Sequence, residues 1–275
     1  MNMTFVDKNF EELSRWDQIP NNNEINRIEE TASLIPNEIE SLLDVGCGNG
    51  IFTRYIQSTK SKIRFVSIDQ SLAALGFVTT TKARGSINKL PFPSRSFDLV
   101  TCLEVIEHIP NPIYLEALSE LCRVSKKYVL VSVPYEQNLH SMRVECPECF
   151  TIYHRYLHLR SFQIRTVENL LNDHRFESIK TIFIGEKLEY IHPIKELLEL
   201  RIPPSKSICP VCGFNEISKT DQADNNPKNQ SELTTITKKI IRKILLQSKK
   251  AKWIAALYQY NNTGSLLADF ANKSY

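Results

Sequence analysis

The chain has 275 residues, of which 42% are hydrophobic and 24% are charged, and its formal net charge is +3. This composition is typical of a globular protein with one substantial domain and an appendage. No uninterrupted apolar run is long enough to cross a membrane, and the first residues lack the basic and apolar regions of a signal peptide. The seven cysteines are an odd number, which argues against a disulfide framework. We therefore expect a cytoplasmic protein.

A polar segment, residues 1–38, precedes the first predicted strand. Within it the sequence predicts a helix from Asn23 to Leu34, which we expect to pack ahead of the core and to close over a bound ligand. The apolar run from Ile39 to Leu43 then predicts a short buried strand. We interpret residues 1–38 as an N-terminal helical segment ahead of the main domain.

A cluster of glycines follows this strand. Three of the chain's eight glycines lie between Asp44 and Gly50, and the residues from Ile51 to Ile56 predict the start of a helix. The glycines therefore occupy a strand-to-helix turn at the carboxyl edge of a parallel sheet, where α/β folds bind nucleotide-like ligands. Glycine lets the backbone approach a ligand closely, and the first N–H groups of the helix are unpaired.

The spacing within this turn, D-x-G-x-G-x-G, favours one class of ligand. The dinucleotide fingerprint would need glycine or alanine where Ile51 stands, and the acid Asp44 suits a cationic ligand better than a pyrophosphate. A second apolar strand ends at Asp69, about 25 residues after Asp44, which is the spacing at which an acid holds two ribose hydroxyls. Downstream, the segment from Leu90 to Val100, LPFPSRSFDLV, leads through a fourth predicted strand to the sequence EVIEH at residues 104–108.

Taken together, these motifs resemble the class I S-adenosylmethionine-dependent methyltransferases over residues 42–176. The string LPFP…SFDLV…EVIEH is similar to the type 11 subgroup, which includes quinone-biosynthesis and many small-molecule O- and C-methyltransferases. The resemblance implies a Rossmann-like α/β fold with a doubly wound seven-stranded sheet, and S-adenosylmethionine as the cofactor. It also implies the residues that bind this cofactor: Asp44, Gly46, Cys47, Gly48, Asp69, Gln70, Ser86, Ile87 and Leu103.

The segment after the third predicted strand departs from the family pattern. The family usually has an aspartate there that accepts a hydrogen bond from the adenine amino group, whereas this chain has Gly85-Ser86-Ile87-Asn88. Ser86 can still form a hydrogen bond, but a hydroxyl is a weaker partner than a carboxylate. We expect either a modest affinity for the cofactor or compensation by Asn88.

Three residues are candidates for the chemistry that the resemblance implies. Because the sulfonium methyl group is already activated, the enzyme has to hold a nucleophile in line and to remove its proton if it is a hydroxyl. Glu104 directly follows the fourth predicted strand and His108 is predicted to share its face of a helix, so we assign Glu104 to substrate positioning and His108 to the general base. The alternative is that Glu104 caps this helix and His108 packs against the lid. His158 precedes a Leu-Arg-Ser-Phe sequence similar to a family feature at the active-site mouth, and it is the third candidate.

The later strands and helices complete a methyltransferase domain that we place at residues 39–217. The β-branched run from Tyr128 to Val133 predicts the fifth strand. A helix is predicted from Thr166 to His174, and a further strand from Ser178 to Ile184.

Two Cys-x-x-Cys pairs lie in insertions of this domain, near residues 141–160 and 186–217. Each such turn places two thiolates at the spacing that a tetrahedral Zn²⁺ requires, and two turns complete a four-thiolate site. About sixty residues separate the pairs, more than in an autonomous zinc ribbon, so the metal would tie the two insertions together. The alternatives are that His154 replaces one cysteine, or that the pairs are free thiols or a redox motif. The predicted structural zinc ligands are Cys146, Cys149, Cys209 and Cys212.

A basic tail, residues 233–275, follows a linker predicted at residues 218–232. Seven basic residues and no acid lie between residues 233 and 268, and isoleucines recur every four residues from 236 to 244. This pattern predicts a helix with one apolar and one basic face. Such a helix suits an anionic membrane surface or an anionic lipid-linked substrate, with Trp253 as an apolar anchor. The alternative is a helix that docks on the domain and exposes its basic face to solvent.

These features predict a methyltransferase that acts on a small molecule or on a glycan or lipid-linked precursor, with O-methylation favoured. The tail is expected to contact the inner face of the membrane peripherally, and nucleic acid is not an expected partner. The alternative enzyme is an RNA methyltransferase whose zinc knuckle grips the nucleic acid, which a steep salt dependence of RNA affinity would reveal. A third alternative is a non-catalytic methyltransferase-fold subunit, which the intact Asp44, Gly46, Gly48 and Asp69 disfavour.

Overall fold

The computed structural model describes residues 10–11, 16–140, 143–190, 208–214 and 247–262, and these fall into two compact units. The larger unit contains residues 10–137 and 159–185 together with the chain from residue 252 onward. The smaller unit contains residues 138–158 and 186–251. All four cysteines of the predicted zinc site therefore belong to the smaller unit.

A seven-stranded mixed sheet organises the larger unit. In chain order, the described strands are β1 (Ser41–Val45), β2 (Arg64–Asp69), β3 (Thr81–Arg84), β4 (Phe97–Leu103), β5 (Ser125–Pro134), β6 (Arg143–Glu145), β7 (Ile152–His154), β8 (Phe176–Tyr190) and β9 (Gln247–Tyr260). The seven-stranded sheet has the order β3-β2-β1-β4-β5-β9-β8. Strands β1 to β5 pair in parallel, and β9 runs antiparallel to β5. The predicted Rossmann-like sheet of seven strands is confirmed.

Helices connect the parallel strands of this sheet. The described helices are α1 (Asn22–Ala32), α2 (Ile51–Thr59), α3 (Leu72–Leu75), α4 (Asn111–Val124) and α5 (Ile164–Glu168), with 3₁₀ turns at Ile106–His108 and Asn172–His174. Helix α2 connects β1 to β2, and α4 connects β4 to β5. Within the part of the chain that the structure describes, no helix is both long enough and apolar enough to cross a membrane.

The central strands are buried on both faces. Every residue of β1 is buried, and in β5 Val129 and Val131 pack in one core cluster whereas Leu130 packs in another. A strand covered on both sides has a continuous apolar sequence, which explains why β1 and β5 could be predicted. Strand β5 extends from Ser125 to Pro134, so the run predicted from Tyr128 to Val133 is confirmed and lengthened.

A capping box fixes the start of helix α1. Asn21 Oδ1 accepts hydrogen bonds from the N–H groups of Asn23 and Glu24, at 3.0 and 3.2 Å. In return, the Glu24 carboxylate accepts a hydrogen bond from the Asn21 N–H at 2.9 Å. The helix ends at Ala32, so the helix predicted from Asn23 to Leu34 is confirmed with a slightly shorter carboxyl end.

The C-terminal segment differs most from its prediction. Residues Gln247–Tyr260 form strand β9, where the sequence predicted part of a basic amphipathic helix within residues 233–275. Every residue from Trp253 to Tyr258 is buried, because both faces of β9 are covered. A short apolar run of this kind fits a buried strand as well as a helix. The helix prediction rested on the four-residue spacing of the isoleucines at residues 236–244, and these lie outside the described residues.

The position of β9 also changes the domain boundary. Strand β9 lies between β5 and β8, so the sheet of the methyltransferase domain is not complete at residue 217 as predicted but includes Gln247–Tyr260. The predicted linker at residues 218–232 lies outside the described residues. Trp253 is only 7% exposed and therefore packs in the core, so the prediction that it anchors the chain to a membrane is wrong.

One predicted helix is broken in two. The segment predicted as a helix from Thr166 to His174 forms α5 and then a separate 3₁₀ turn. Asn169 Nδ2 donates a hydrogen bond to Arg165 O at 2.8 Å, and asparagine side chains compete with the backbone for such carbonyls. The strand predicted from Ser178 to Ile184 is confirmed within β8.

Candidate functional site

A cavity of about 250 Å³ lies at the carboxyl ends of β1 and β4 in the larger unit. The glycine turn after β1 and the inner face of α1 form its walls. The structure therefore brings to one place several residues that the sequence analysis assigned to cofactor binding or catalysis. These are Asp44, Gly46, Cys47, Gly48, Leu103 and Glu104.

The glycine turn has a backbone that only glycine adopts readily. Gly46 and Gly48 have φ values of 71° and 53°, in the left-handed region. A Cβ atom added at Gly48 would come within 2.8 Å of Trp16 Cζ3, and one added at Gly46 would overlap Val105. Both positions therefore need glycine for two reasons, the conformation of the turn and the close approach of their neighbours.

Asp44 is a buried carboxylate at the end of β1. Its Oδ1 accepts a hydrogen bond from Thr101 Oγ1 at 2.7 Å, and its Oδ2 accepts one from Thr53 Oγ1 at 2.9 Å. Burial raises the pKa of Asp44 to about 6, because the loss of hydration outweighs these two donors and the charge of Asp69 acts in the same direction. A cationic ligand in the cavity would favour the ionised form of Asp44.

Asp69, at the end of β2, forms hydrogen bonds both to the glycine turn after β1 and to the turn after β2. Its Oδ2 accepts a hydrogen bond from the Gly48 N–H at 2.9 Å, and its Oδ1 accepts one from the Ser71 N–H at 2.9 Å. Burial raises the pKa of Asp69, although both donors lower it. Each carboxylate oxygen has a second lone pair, so Asp69 can hold the turn and still accept hydrogen bonds from ribose hydroxyls.

Four residues predicted to bind the cofactor, Asp69, Gln70, Ser86 and Ile87, do not line the cavity. Gln70 is exposed, and its backbone oxygen accepts a hydrogen bond from Arg84 Nε at 2.9 Å. Ser86 Oγ and Asn88 Oδ1 are 2.6 Å apart, and Ile87 between these residues is buried. The hydroxyl of Ser86 is therefore oriented by Asn88. The assignment of Gln70, Ser86 and Ile87 to the cofactor stays a prediction.

Glu104 lies at the end of the cavity where β4 stops. Its φ of 58° is left-handed, which costs a non-glycine residue on the order of 1 kcal/mol and is common at functional sites. Its Oε1 accepts a hydrogen bond from Ser132 Oγ at 2.9 Å. Burial raises the pKa of Glu104, and the positive charge of Arg27 opposes this rise. Glu104 is thus a buried carboxylate held in a strained backbone at the cavity wall.

The predicted helix that Glu104 and His108 would share is absent from this part of the structure. The described chain forms only a 3₁₀ turn at Ile106–His108, and Glu104 does not cap it. The left-handed φ of Glu104 excludes this residue itself from an α-helix. His108 Nε2 lies 4.0 Å from Glu107 Oε1, and the Phe10 ring meets the His108 ring edge-on with centroids 5.6 Å apart. Phe10 belongs to the N-terminal segment, and the alternative in which His108 packs against the lid stays open.

Arg27 and Trp253 are parts of the site that the sequence analysis missed. Arg27 lines the cavity from α1, and its Nε is buried without a hydrogen-bond partner among the described residues. Its guanidinium lies 5.5 Å from the centre of the Trp253 ring, and Lys252 Nζ lies 4.1 Å from the same ring. The position of Arg27 on the inner face of a predicted helix could have identified it as a residue of the site. The sequence contains no such indication for Trp253, because only the pairing of β9 with β5 brings this residue to the site.

His158, the third predicted catalytic residue, belongs to the smaller unit. Its backbone N–H donates a hydrogen bond to His154 Nδ1 at 3.2 Å. The two imidazole rings stack with their centroids 4.9 Å apart. His154 Nε2 is buried and has no hydrogen-bond partner among the described residues. The assignment of His158 to catalysis stays a prediction.

The four cysteines predicted as zinc ligands cluster in the smaller unit. Their sulfur atoms all lie within 4.8 Å of one another. The sulfurs of Cys146 and Cys212 are 3.5 Å apart, and those of Cys149 and Cys209 are 3.6 Å apart. A tetrahedral zinc ion with bonds of about 2.3 Å separates its ligands by about 3.8 Å. The cluster therefore has the dimensions of a zinc site.

The two Cys-x-x-Cys turns have the same backbone geometry. The Phe150 N–H donates a hydrogen bond to Cys146 O at 2.9 Å, and the Gly213 N–H donates one to Cys209 O at 3.0 Å. Phe150 and Gly213 both follow the second cysteine of their pair, and their φ values are 57° and 75°. The matched turns explain how two segments distant in sequence present their sulfurs to one point.

Comparisons with known proteins agree with this geometry. Residues 43–131 match the family described as a methyltransferase domain. An uncharacterised protein of Methanocaldococcus jannaschii is 28% identical over 165 residues, which cover 57% of this chain and 70% of that protein. A ubiquinone biosynthesis O-methyltransferase of Pseudoalteromonas translucida is 27% identical over 90 residues, which cover 30% of this chain and 38% of that enzyme.

The fold itself also occurs in solved methyltransferase structures. A SAM-dependent methyltransferase of Thermotoga maritima superposes with a TM-score of 0.54 at 14% identity, over 94% of this chain and 99% of that one. The family match covers the glycine turn, β2, β3, β4 and most of β5. Residues 43–131 of the chain therefore match the methyltransferase-domain family, and the chain has the fold of a SAM-dependent methyltransferase.

Proposed function

We propose that the chain transfers a methyl group from S-adenosylmethionine to a hydroxyl of a small molecule or of a glycan or lipid-linked precursor. The observation that carries this proposal is the cavity that joins the glycine turn to the buried carboxylate of Glu104. A cofactor bound along the turn would place its methyl group at the carboxyl ends of the central strands. In open α/β sheets this is the edge at which a second ligand can approach.

The polar groups of the cavity fit the charges of the cofactor. S-adenosylmethionine carries a sulfonium, an ammonium and a carboxylate group. Asp44 would face the positive groups, and Arg27, whose Nε lacks a hydrogen-bond partner among the described residues, would pair with the carboxylate. Gly46 and Gly48 would let the cofactor approach the backbone, and Asp69 would hold the ribose hydroxyls.

The transfer step then needs an oriented acceptor and a place for its proton. The acceptor oxygen forms a bond to the methyl carbon while the carbon–sulfur bond breaks, and the electron pair of that bond stays on sulfur as a neutral thioether. Glu104 would accept a hydrogen bond from the acceptor hydroxyl, and His108 would take the proton that the hydroxyl loses.

Methyl transfer from labelled S-adenosylmethionine to a panel of hydroxyl and amine acceptors tests this assignment. We expect transfer to a hydroxyl, with turnover reduced on the order of 100-fold in His108→Ala and also reduced in Glu104→Gln. Cofactor affinity should change little in both variants. Glu30→Gln, on the exposed side of α1, is the matched control and should behave as wild type. Wild-type turnover in both site variants, or transfer to amines alone, would contradict the proposal.

We also propose that Cys146, Cys149, Cys209 and Cys212 hold one structural Zn²⁺. The sulfur–sulfur distances of 3.5 and 3.6 Å support this proposal. Four protein ligands would fill the tetrahedral coordination of the ion and leave no open position for a substrate. The role expected for the metal is therefore to stabilise the smaller unit.

A further inference from the structure

Lys252 is a partly buried cation beside the proposed cofactor site. It belongs to β9, and its Nζ lies 4.1 Å from the centre of the Trp253 ring. Its ammonium group makes no hydrogen bond or ion pair with any residue that the structure describes. Burial lowers the pKa of Lys252, and the charges of Glu24 and Glu104 oppose this effect only in part. An ammonium group that has lost hydration and has no adjacent carboxylate is suited to an anionic ligand.

Lys252 lies at the carboxyl edge of the parallel strands. Its backbone oxygen accepts a hydrogen bond at 3.1 Å from the N–H group of Tyr135, the residue that directly follows β5. Because β9 runs antiparallel to β5, its amino-terminal half reaches this edge. The cofactor cavity lies at the same edge, at the ends of β1 and β4, and ligands of open α/β sheets bind there. Lys252 is therefore at the edge from which a methyl acceptor would approach.

The Trp253 ring contacts this ammonium group and also a residue of the cavity wall. The guanidinium of Arg27, which lines the cavity, lies 5.5 Å from the centre of the same ring. Trp253 pairs with Pro134 in the register of β5 and β9, so its side chain lies on the same face of the sheet as those of Pro134 and Ser132. Ser132 Oγ donates a hydrogen bond to Glu104 Oε1 at 2.9 Å, which holds the Glu104 carboxylate on that face as well. The ammonium group therefore lies near the Glu104 end of the cavity.

The proposed cofactor leaves this ammonium group available. S-adenosylmethionine has one anionic group, its carboxylate, and Arg27 would pair with it. Lys252 is not among the residues that line the cofactor cavity. The methyl acceptor, which is the second ligand of the reaction, is therefore the ligand whose charge Lys252 can recognise.

We propose that Lys252 binds a carboxylate or phosphate group of the methyl acceptor and thereby selects acceptors that carry a negative charge. The two groups share the chemistry that a lysine recognises, which is a set of anionic oxygens that accept hydrogen bonds from the ammonium group. The Trp253 ring would hold the lysine by a cation–π contact. Because Glu104 would accept a hydrogen bond from the acceptor hydroxyl, the acceptor would be held at two points. This inference rests on the proposed function, since it assigns Lys252 to specificity for the acceptor of that reaction.

Saturation-transfer NMR of the purified full-length protein tests this proposal without any reaction. The protein is saturated with S-adenosylhomocysteine, the product that the cofactor leaves, and is titrated with benzoate, phenyl phosphate or benzamide, three probes with the same ring. We expect at least one of the two anions to bind about tenfold or more tightly than the neutral benzamide, since a hydrogen bond to a charged group has this magnitude. The comparison of benzoate with phenyl phosphate shows which anionic group is recognised.

Three variants assign the effect to one side chain. Lys252→Met keeps the apolar stem but removes the charge, and it should abolish the preference for anions. Lys252→Arg keeps a positive charge beside Trp253 and should retain most of the preference. Lys180→Met removes the same charge at an exposed lysine of β8 in the same unit and should bind the probes as wild type. Thermal unfolding and the affinity for S-adenosylhomocysteine should be unchanged in all three variants.

The outcomes separate this proposal from the proposed function. Equal affinity of the wild type for the three probes, absence of binding of both anions, or an undiminished preference in Lys252→Met would overturn the role of Lys252. Methyl transfer to charged and neutral hydroxyl acceptors with equal kcat/KM would also contradict that role, but it would leave the proposed function intact. Anion binding that depends on Lys252, without methyl transfer to any hydroxyl, would contradict the proposed function alone.

Discussion

At the scale of single residues, three buried carboxylates lie at or just beyond the carboxyl ends of β1 and β4. Asp44 accepts hydrogen bonds from two hydroxyls, Glu104 accepts one from Ser132 with Arg27 nearby, and Glu107 has no hydrogen-bond donor among the described residues. Burial raises the pKa of each of them. Buried charges of this kind lower the stability of the ligand-free protein, and a ligand of opposite charge stabilises them. Binding sites commonly lose stability in this way in exchange for function.

The pKa of Asp44 gives a pH-dependent stability with a defined sign. Its folded value is about 6 and its ordinary value is 3.8, so the folded protein binds the proton more tightly than the unfolded chain. The contribution of Asp44 to the free energy of unfolding is therefore largest below pH 3.8 and is lost as the pH rises to about 6, a change of up to roughly 3 kcal/mol. Chemical unfolding between pH 4 and 7 should show that Asp44→Asn removes this loss.

Asp98 provides the control of opposite sign. Burial raises the pKa of Asp98, but hydrogen bonds from the Glu40 N–H and from the Ser41 hydroxyl, both at 3.0 Å, outweigh this rise, so the net shift is downward. Stability from Asp98 is therefore lost as the pH falls, and Asp98→Asn should weaken the protein most at neutral pH. A pH profile of Asp44→Asn that matched the wild type would contradict the assigned burial of Asp44.

The residues that could be predicted share a local signal. Asp44, Gly46 and Gly48 lie in one turn, and Asp69 follows at a set spacing, so the sequence alone indicated them. Arg27 gave a weaker signal, because its importance depends on which face of α1 packs over the turn. The left-handed backbone of Glu104 could not be predicted, since glutamate has no preference for that conformation.

At the scale of elements, strand β9 decides how the sheet ends. Sequence patterns identified β1, β2, β4 and β5 because buried strands have continuous apolar runs and the turns after them carry characteristic residues. They did not identify β9, because the helical period of residues 236–244 was extended into its apolar run Trp253–Tyr258 and its partner β5 is distant in sequence. Pairing between remote segments depends on the assembled sheet and is not encoded in local periodicity.

The core position of β9 can be tested by substitution. Ile254 is wholly buried opposite Val133 of β5, so Ile254→Ala should lower the free energy of unfolding by about 2 to 5 kcal/mol. Lys249, whose exposed ion pair with Glu186 measures 2.9 Å, is the control, and Lys249→Ala should change stability by less than about 0.5 kcal/mol. Equal stability of both variants by denaturant unfolding would exclude β9 from the core.

At the scale of the whole molecule, the chain combines a unit with the methyltransferase fold and a smaller unit with four clustered cysteines. Purified protein should contain about one zinc ion per chain, because thiolate sites of this type contribute on the order of 10 kcal/mol of apparent binding energy. Elemental analysis measures the metal, and Cys209→Ser should lose most of it. Cys122→Ser, a buried cysteine outside the cluster, should retain it.

Removal of the zinc should affect the two units differently. The larger unit has its own extensive hydrophobic core, so cofactor binding should survive chelation while the smaller unit loses protection against hydrogen exchange. Protein prepared under reducing conditions that contains no metal would contradict the zinc assignment.

The central claim is that S-adenosylmethionine binds at the glycine turn, and calorimetric titration of this cofactor tests it most directly. The wild type should bind S-adenosylmethionine in preference to NAD, and Asp69→Ala should weaken the affinity roughly 5- to 150-fold, equivalent to about 1 to 3 kcal/mol. Asp173→Ala, at an exposed aspartate of the same unit, should bind as wild type. Absence of binding, preference for NAD, or an unchanged affinity in Asp69→Ala would contradict the account.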